Sequence, residues 1–277
     1  MIISIASGKG GTGKTTVAVN LALSIKDANI LDCDVEEPNA HIFIKPEIKS
    51  KEKVFIPVPE IDKEKCNACG KCKDVCAYNA LAILGDTVLV FPELCHGCGA
   101  CSYFCPQGAI KEVDKEIGII EEGSINEIGF VHGRLNIGQA MAPPVIRVVK
   151  KHIKNDRVNI IDSPPGTSCP VISSIAGSDF CVLVTEPTPF GLNDLMLAVE
   201  VLRKVRIPFG VVVNRSDLGD DKTDKYCIEE KIPILMKIPF NKDIARAYSK
   251  GEPFVRCFPE YKDMFLVLLG KIKETIA

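Results

Sequence analysis

Two runs of cysteine share one spacing. Cys66-x2-Cys69-x2-Cys72-x3-Cys76 recurs as Cys95-x2-Cys98-x2-Cys101-x3-Cys105, with Pro106 after the second run. The short spacing wraps three thiolates round one face of an iron–sulfur cube, and a more distant cysteine completes the set. The eight cysteines therefore read as ligands for two [4Fe–4S] clusters. Four-cysteine sites also hold structural zinc; two matching three-plus-one runs favour the clusters. A second chemistry-bearing stretch is Gly8-Lys9-Gly10-Gly11-Thr12-Gly13-Lys14-Thr15-Thr16. Glycines there let backbone N–H groups approach and cradle phosphates, and the following helix presents its positive end. Lys14 is suited to the β- and γ-phosphates and Thr15 to Mg2+. The bland alternative is a chance glycine-rich turn, but the full pattern lies between a strand signal and a helix signal.

Carboxylates follow at the places such a pocket needs them. Asp32 and Asp34 close a second apolar run, Ala28 to Leu31. A carboxylate beside a γ-phosphate can orient or deprotonate the attacking water; otherwise these are two solvated loop acids. Val158-Asn159-Ile160-Ile161-Asp162 is an apolar strand ending in an acid, placing Asp162 to hold a Mg2+-bound water. Val211-Val212-Val213-Asn214-Arg215-Ser216-Asp217 ends another strand.

These residues need a scaffold that brings strand ends together. Strands are expected at Ile2 to Ala6, Ala28 to Leu31, Val158 to Ile161, Phe180 to Val184, Phe209 to Val213 and Ile234 to Ile238. Helices are expected at Lys14 to Lys26, Pro144 to Ile153, Leu192 to Val205, Ile244 to Ser249 and Tyr261 to Ile276. The alternation predicts an α/β fold with a doubly wound, mostly parallel sheet. The pattern breaks after the second strand. Lys45 to Lys53 reads as a charged surface linker, and Pro57 and Pro59 open a different module. Within it Cys66, Cys69, Gly70, Cys72, Cys76 and Ala80 align with Cys95, Cys98, Gly99, Cys101, Cys105 and Ala109, a register of 29 residues. Each repeated unit is too small to build a core without its metal. The expected organisation is a nucleotide-binding domain over 1–56 and 121–277, interrupted by a small α+β insert over 57–120.

Composition narrows the function classes. The 277 residues carry a formal net charge of −2 and no long basic run, so nucleic acid is not an evident partner. Thirteen cysteines without a secretory leader indicate a reducing compartment, and cytoplasm is the expectation. No apolar run reaches membrane-spanning length. Cys33 and Cys181 read as packed small hydrophobes, whereas Cys227 and Cys257 stand alone. The four histidines, His41, His96, His132 and His152, show no ligand spacing.

The phosphate loop with its early lysine, Lys9, resembles that of the MinD/ParA/Mrp group of ATPases, which includes the nitrogenase iron protein. The resemblance covers nearly the whole chain outside the insert. It implies ATP and Mg2+ as ligands, ATP hydrolysis, and a nucleotide-dependent homodimer in which Lys9 reaches the partner's nucleotide as an arginine finger does. It assigns Asp34 to the attacking water and Val35 to Asn39 to a first switch. Ser163-Pro164-Pro165-Gly166 resembles the second switch, where the Gly166 amide senses the γ-phosphate. It assigns Asn214 to adenine, although Asn214-Arg215-Ser216-Asp217 also resembles a guanine-reading motif. Pro239, in Ile238-Pro239-Phe240, is placed against the base. Cys169 stands where the nitrogenase iron protein keeps a cluster cysteine; one cysteine supplies too few ligands, and a packed thiol is the plainer reading. The Cys-x2-Cys pair of Mrp-type scaffold ATPases is absent from the C-terminal part. MinD carries a membrane-targeting C-terminal helix; here the thin basic face of Tyr261 to Ile276 favours closure of the core.

Ile61 to Ile120 resembles two-cluster bacterial ferredoxins, which exchange fourth ligands between motifs. The resemblance implies one cluster on Cys66, Cys69, Cys72 and Cys105, and another on Cys95, Cys98, Cys101 and Cys76. Ala77 departs from the usual proline. The combined expectation is an ATP-gated electron carrier. The alternatives are a cluster carrier or scaffold in metallocofactor assembly, and a positioning or partition ATPase with a redox sensor. The redox partner or recipient apo-metalloprotein is not specified by the sequence.

Overall fold

The computed structural model describes residues 1–276. In chain order the elements begin with β1 (Ile2–Ala6), α1 (Lys14–Ser24), β2 (Ala28–Asp32), α2 (Ala40–Ile44) and β3 (Glu47–Ile61). There follow α3 (Lys71–Asp74), β4 (Leu81–Leu84), β5 (Thr87–Val90), α4 (Ala100–Tyr103), β6 (Ile110–Ile125), β7 (Ile128–Leu135), α5 (Ala142–Lys150) and β8 (Val158–Asp162). The chain ends with α6 (Cys169–Ile175), β9 (Phe180–Thr185), α7 (Pro189–Val205), β10 (Phe209–Asn214), α8 (Lys222–Glu229), β11 (Ile234–Ile238), α9 (Lys242–Ser249), α10 (Phe254–Cys257) and α11 (Glu260–Ile276).

One sheet runs in the order β11-β10-β9-β1-β8-β2-β7-β6-β3. Every pairing from β11 to β7 is parallel, whereas β6 pairs antiparallel with both β7 and β3. Strand residues alternate between faces, so neighbours feed separate cores. Ile30, Ile160 and Val182 pack with α1 and α11, whereas Leu31 and Ile161 pack with Val145 and Ile146 of α5. Leu183 packs with Leu195, Val199 and Leu202 of α7. Phe265, Leu268, Leu269 and Ile272 of α11 are buried in the same core as Val17 and Leu21 of α1. The C-terminal helix therefore closes one face of the sheet. Among the described residues no helix is long and apolar enough to cross a membrane.

The segment expected as a charged linker is a strand. Glu47 to Lys53 belong to β3 and pair with β6 from Glu47↔Ser124 to Ile61↔Ile110. Charges alternate along this edge strand without an apolar face until Val54, which is why its periodicity does not reveal it. The expected boundaries at 57 and 120 fall inside β3 and β6. The two strands form one ribbon that leaves the main sheet and carries α3, the β4–β5 pair and α4 at its end. A small core there contains Cys72, Leu81 and Cys101, packed by Ile61, Cys76, Val88, Val90 and Ile110.

Candidate functional site

The loop from Gly8 to Gly13 joins β1 to α1. Gly13 is the N-cap of α1 at φ 98°, a left-handed conformation open to glycine. A Cβ at Gly13 would meet Asn214 Nδ2 at 2.5 Å, and one at Gly8 would meet the backbone oxygen of Asp194 at 2.1 Å. Both glycines are needed because neighbouring chain lies against the loop. Lys14, Thr12 and Thr15 are buried. A cleft of about 450 Å³ opens beyond them, lined by Gly10, Gly11, Lys14, Thr15 and Thr16 at one end. Asn214, beside the loop, and Pro239, Phe240, Tyr248 and Phe254 complete the lining, a largely apolar slot next to a phosphate cradle.

Acids stand at the neighbouring strand ends: Asp34 lines the cleft, and Asp32 and Asp162 lie buried behind it. Asp162 is fully buried beside the Thr15 hydroxyl, and neither carboxylate oxygen has a full hydrogen bond among the described residues. Burial pushes its pKa up to about 7, with Lys14 opposing the shift and Asp34 adding to it. Thr12 Oγ1, Asn39 Oδ1 and Ser163 Oγ are also buried without partners. Orphaned oxygens of this kind fit a hydrated cation and phosphate oxygens. Asp34 lines the cleft, and burial raises its pKa to about 6 against the pull of Lys14. Asp32 does different work: Oδ1 accepts from Asp34 N–H at 3.0 Å, and Oδ2 accepts from Asn39 and Ala40 N–H at 3.0 Å. It pins both ends of the 35–39 segment. Its pKa is raised by burial and by Asp162.

Several residues carry ties that sequence spacing did not disclose. Lys9 Nζ lies 2.6 Å from Glu186 Oε1, and Glu186 Oε2 lies 3.0 Å from Arg215 Nη1. Glu186 ends up there because it follows the apolar strand β9 on the nucleotide side. Asn214 Nδ2 donates to Thr12 O at 2.9 Å, while its Oδ1 accepts from Arg215 N–H at 3.0 Å. Asp217 Oδ1 accepts from Phe240 N–H at 2.5 Å, so this acid holds the loop rather than facing the cleft. Gly166 N–H donates to Ser7 O at 3.0 Å. Cys33, Cys181 and Cys227 are buried; Cys169, expected to pack, is exposed at the start of α6.

The eight motif cysteines fall into two groups of four. One hollow is lined by Cys66, Cys69, Cys72 and Cys105. The other is lined by Cys76, Cys95, Cys98 and Cys101. These are the crossed sets that the resemblance implied. Burial raises the Cys72 thiol pKa, with Cys66 and Cys105 adding to it. Burial also pushes Cys101 up to about 11, with contributions from Cys95 and Cys98. Thiols crowded so that each disfavours its neighbour's ionisation suit a cationic iron core. Backbone N–H groups of Ala80 and Ala109 donate to Cys76 and Cys105 Sγ, each at 3.3 Å, and Gly97 N–H donates to Cys95 Sγ at 3.4 Å. Among the described residues no three His, Cys, Asp or Glu side chains gather into a single-ion site. A cube is larger than a single ion and needs four thiolates around it, and four cysteines line each hollow. Tyr78 stacks on His96 beside the second hollow, with ring centroids 3.4 Å apart.

The two regions are joined through the ribbon. Leu135 N–H donates to Val35 O, and Asn136 N–H donates to Ile117 O, both at 2.8 Å. Ile117 is fully buried with Val54, Ile56 and Val58, and Cys95 packs against that cluster.

A helix opening on a phosphate loop at the carboxyl edge of a parallel sheet is the construction of a P-loop nucleotide-binding protein. The chain belongs to the CobQ/CobB/MinD/ParA nucleotide-binding family, whose domain matches residues 3–254. It is 35% identical over 263 residues to protein MJ0579 of Methanocaldococcus jannaschii, covering 92% of each chain. It is also 35% identical over 284 residues to MJ0578 of that organism, covering 100% of this chain and 98% of the relative. An iron-sulfur cluster carrier protein of Pyrococcus abyssi is 23% identical over 301 residues, covering 98% of this chain and 86% of its own. MinD of Pyrococcus horikoshii, solved with Mg-ADP, superposes with a TM-score of 0.61 at 20% identity, covering 98% of this chain and 95% of its own. That likeness is one of fold.

The pKa shifts give the site a testable pH dependence. A carboxylate whose folded pKa is raised binds its proton more tightly folded than unfolded. Free protein therefore loses stability as pH rises from about 4 toward the folded value of about 7. A Mg2+ ion held at Asp162 would need the ionised form, and in that case the Mg2+-dependent part of nucleotide affinity is expected to strengthen from pH 5.5 to 8. Asp162→Asn should flatten that dependence and raise the melting temperature of the nucleotide-free chain at pH 8. Calorimetric titration and thermal melts check the two halves separately.

Proposed function

We propose that the chain is an ATP-hydrolysing iron–sulfur protein in which nucleotide state acts on a two-cluster module. The observation that carries this reading is the division of eight cysteines into two crossed groups of four, on a ribbon rooted in the nucleotide-binding sheet. Bound [4Fe–4S] clusters would supply one-electron storage. Thr15 and the buried Asp162 would hold Mg2+, the cation directly and through water respectively. Lys14 neutralises phosphate charge, and Asp34 holds the attacking water and draws its proton. Asn214 and Pro239 border the slot suited to adenine. Use of Asp217 by the loop favours ATP over GTP.

Release of Lys9 from Glu186 would free it to reach a second copy's nucleotide in a dimer. Closure of the 35–39 segment on a γ-phosphate would pull on Val35, and through Leu135, Asn136 and Ile117 on the packing around Cys95. The reading is tested by stopped-flow oxidation of reduced protein with a small one-electron acceptor. Mg-ATP should change the rate; equal rates with and without nucleotide would reject gated electron transfer.

A second reading is cluster delivery to an apo-metalloprotein, favoured by the name of the 23% identical Pyrococcus relative. Transfer of intact clusters to an apo-acceptor, with loss to chelators, supports delivery. Clusters that resist chelation and only exchange electrons support the first reading.

A further inference from the structure

The two hollows are related by the 29-residue repeat, and among the positions that differ one puts a charge at a hollow. Gly70 faces Ile83: a Cβ there would lie 3.4 Å from Ile83 Cδ1. Its counterpart Gly99 faces Glu112, whose Oε1 would lie 3.0 Å from the equivalent Cβ. Ile83 and Glu112 are themselves counterparts in the repeat. The same place therefore holds an aliphatic chain against Gly70 in one unit and, in the other, a carboxylate that lines the hollow. Ser102 Oγ donates to Glu112 Oε1 at 2.6 Å and fixes it there. Glu112 lines the hollow of Cys76, Cys95, Cys98 and Cys101; no Asp, Glu, Lys or Arg lines the other.

The covering helices differ in the same sense. Lys71 and Lys73 on α3 correspond to Ala100 and Ser102 on α4. The exposed Asp74 offsets one of the lysines, and its counterpart is the uncharged Tyr103.

We propose that the two clusters are electrochemically unequal and that Glu112 is a principal cause. One-electron reduction adds a negative charge to a cube; a nearby carboxylate opposes it, and nearby ammonium groups favour it. The cluster at Cys76, Cys95, Cys98 and Cys101 has the lower potential. The first electron from a one-electron donor therefore rests at Cys66, Cys69, Cys72 and Cys105. The harder-to-reduce cluster is the one against Pro57, Pro59 and the core through Cys95, the side from which nucleotide state acts. Electrons held there are the stronger reductant. This inference rests on the two-cluster reading.

The test is a dithionite-mediated redox titration of the full anaerobic chain, followed by EPR, after iron and sulfide are assayed. Two separated one-electron waves are expected. Glu112→Gln should move only the lower wave upward, and Ile83→Glu should move only the upper wave downward. If Glu112→Gln loses iron, the Ile83→Glu variant decides. A single unresolved wave, or variants that leave their assigned waves in place, would overturn the proposal. Wild-type chain without about eight iron would instead overturn the two-cluster reading itself.

Discussion

Asp34→Asn is expected to leave ATP binding within a few-fold of wild type and to slow hydrolysis by about 100- to 10,000-fold, the usual contribution of a positioned acid–base group. The carboxylate lines the cleft together with Lys14, with a pKa raised to about 6 by burial. A base of that strength is mostly ionised at neutral pH and still able to accept a proton. Wild-type hydrolysis should therefore rise with pH through about 6 and then level, and the residual Asp34→Asn rate should lack that step. Asp32 is the internal contrast. Its three backbone hydrogen bonds make it a brace, so Asp32→Asn should weaken folding of the 35–39 segment and nucleotide binding together. Steady-state phosphate release alongside equilibrium nucleotide binding separates the two cases. An Asp34→Asn chain with wild-type turnover would remove Asp34 from the chemistry.

The second large effect concerns which cysteines belong together. Cys66→Ala with Cys105→Ala strikes one group of four and should leave about four iron per chain. Cys66→Ala with Cys76→Ala strikes both groups and should remove nearly all of it. If each run instead served its own cluster, the two double variants would exchange outcomes. The crossing also ties each cysteine run to both hollows. Cys72 and Cys101 share a small core with Leu81, so cluster loss should loosen α3 and α4 while leaving the main sheet folded. Hydrogen exchange of 66–105 against 158–185 reads that difference.

Local sequence disclosed the strands that are buried on both faces. Ala28–Asp32 and Phe180–Thr185 are buried along their whole length, and the hydrophobic run alone marks them. It did not disclose β3. Lys49, Lys51 and Lys53 lie exposed on a sheet edge, and the backbone pairing that makes the strand comes from residues about sixty or more positions later. The phosphate loop was legible because phosphate chemistry fixes residue types at short spacing. Glu186 was not, because its partner Lys9 is 177 residues away and only the sheet brings them together. The cysteine runs were legible for the same reason as the loop. Their grouping came from resemblance, and Glu112 stands out only through its place against Gly99 and the second hollow.

The unused bonding capacity of Asp162, Thr12 and Asn39 has the same origin. An acid after an apolar strand is common. The sequence placed Asp162 beside a hydrated cation; its complete burial, which makes such a partner favourable for the ionised form, is a property of the folded packing.

The most direct measurement is EPR of the anaerobically purified, dithionite-reduced chain, recorded with and without Mg-ATP. Two magnetically interacting [4Fe–4S] signals per chain, altered in line shape by Mg-ATP and unaltered in a Lys14→Ala variant, are the expected result. A zinc-loaded, EPR-silent protein, or cluster signals indifferent to Mg-ATP, would contradict the coupling of the thiolate hollows to the phosphate cleft.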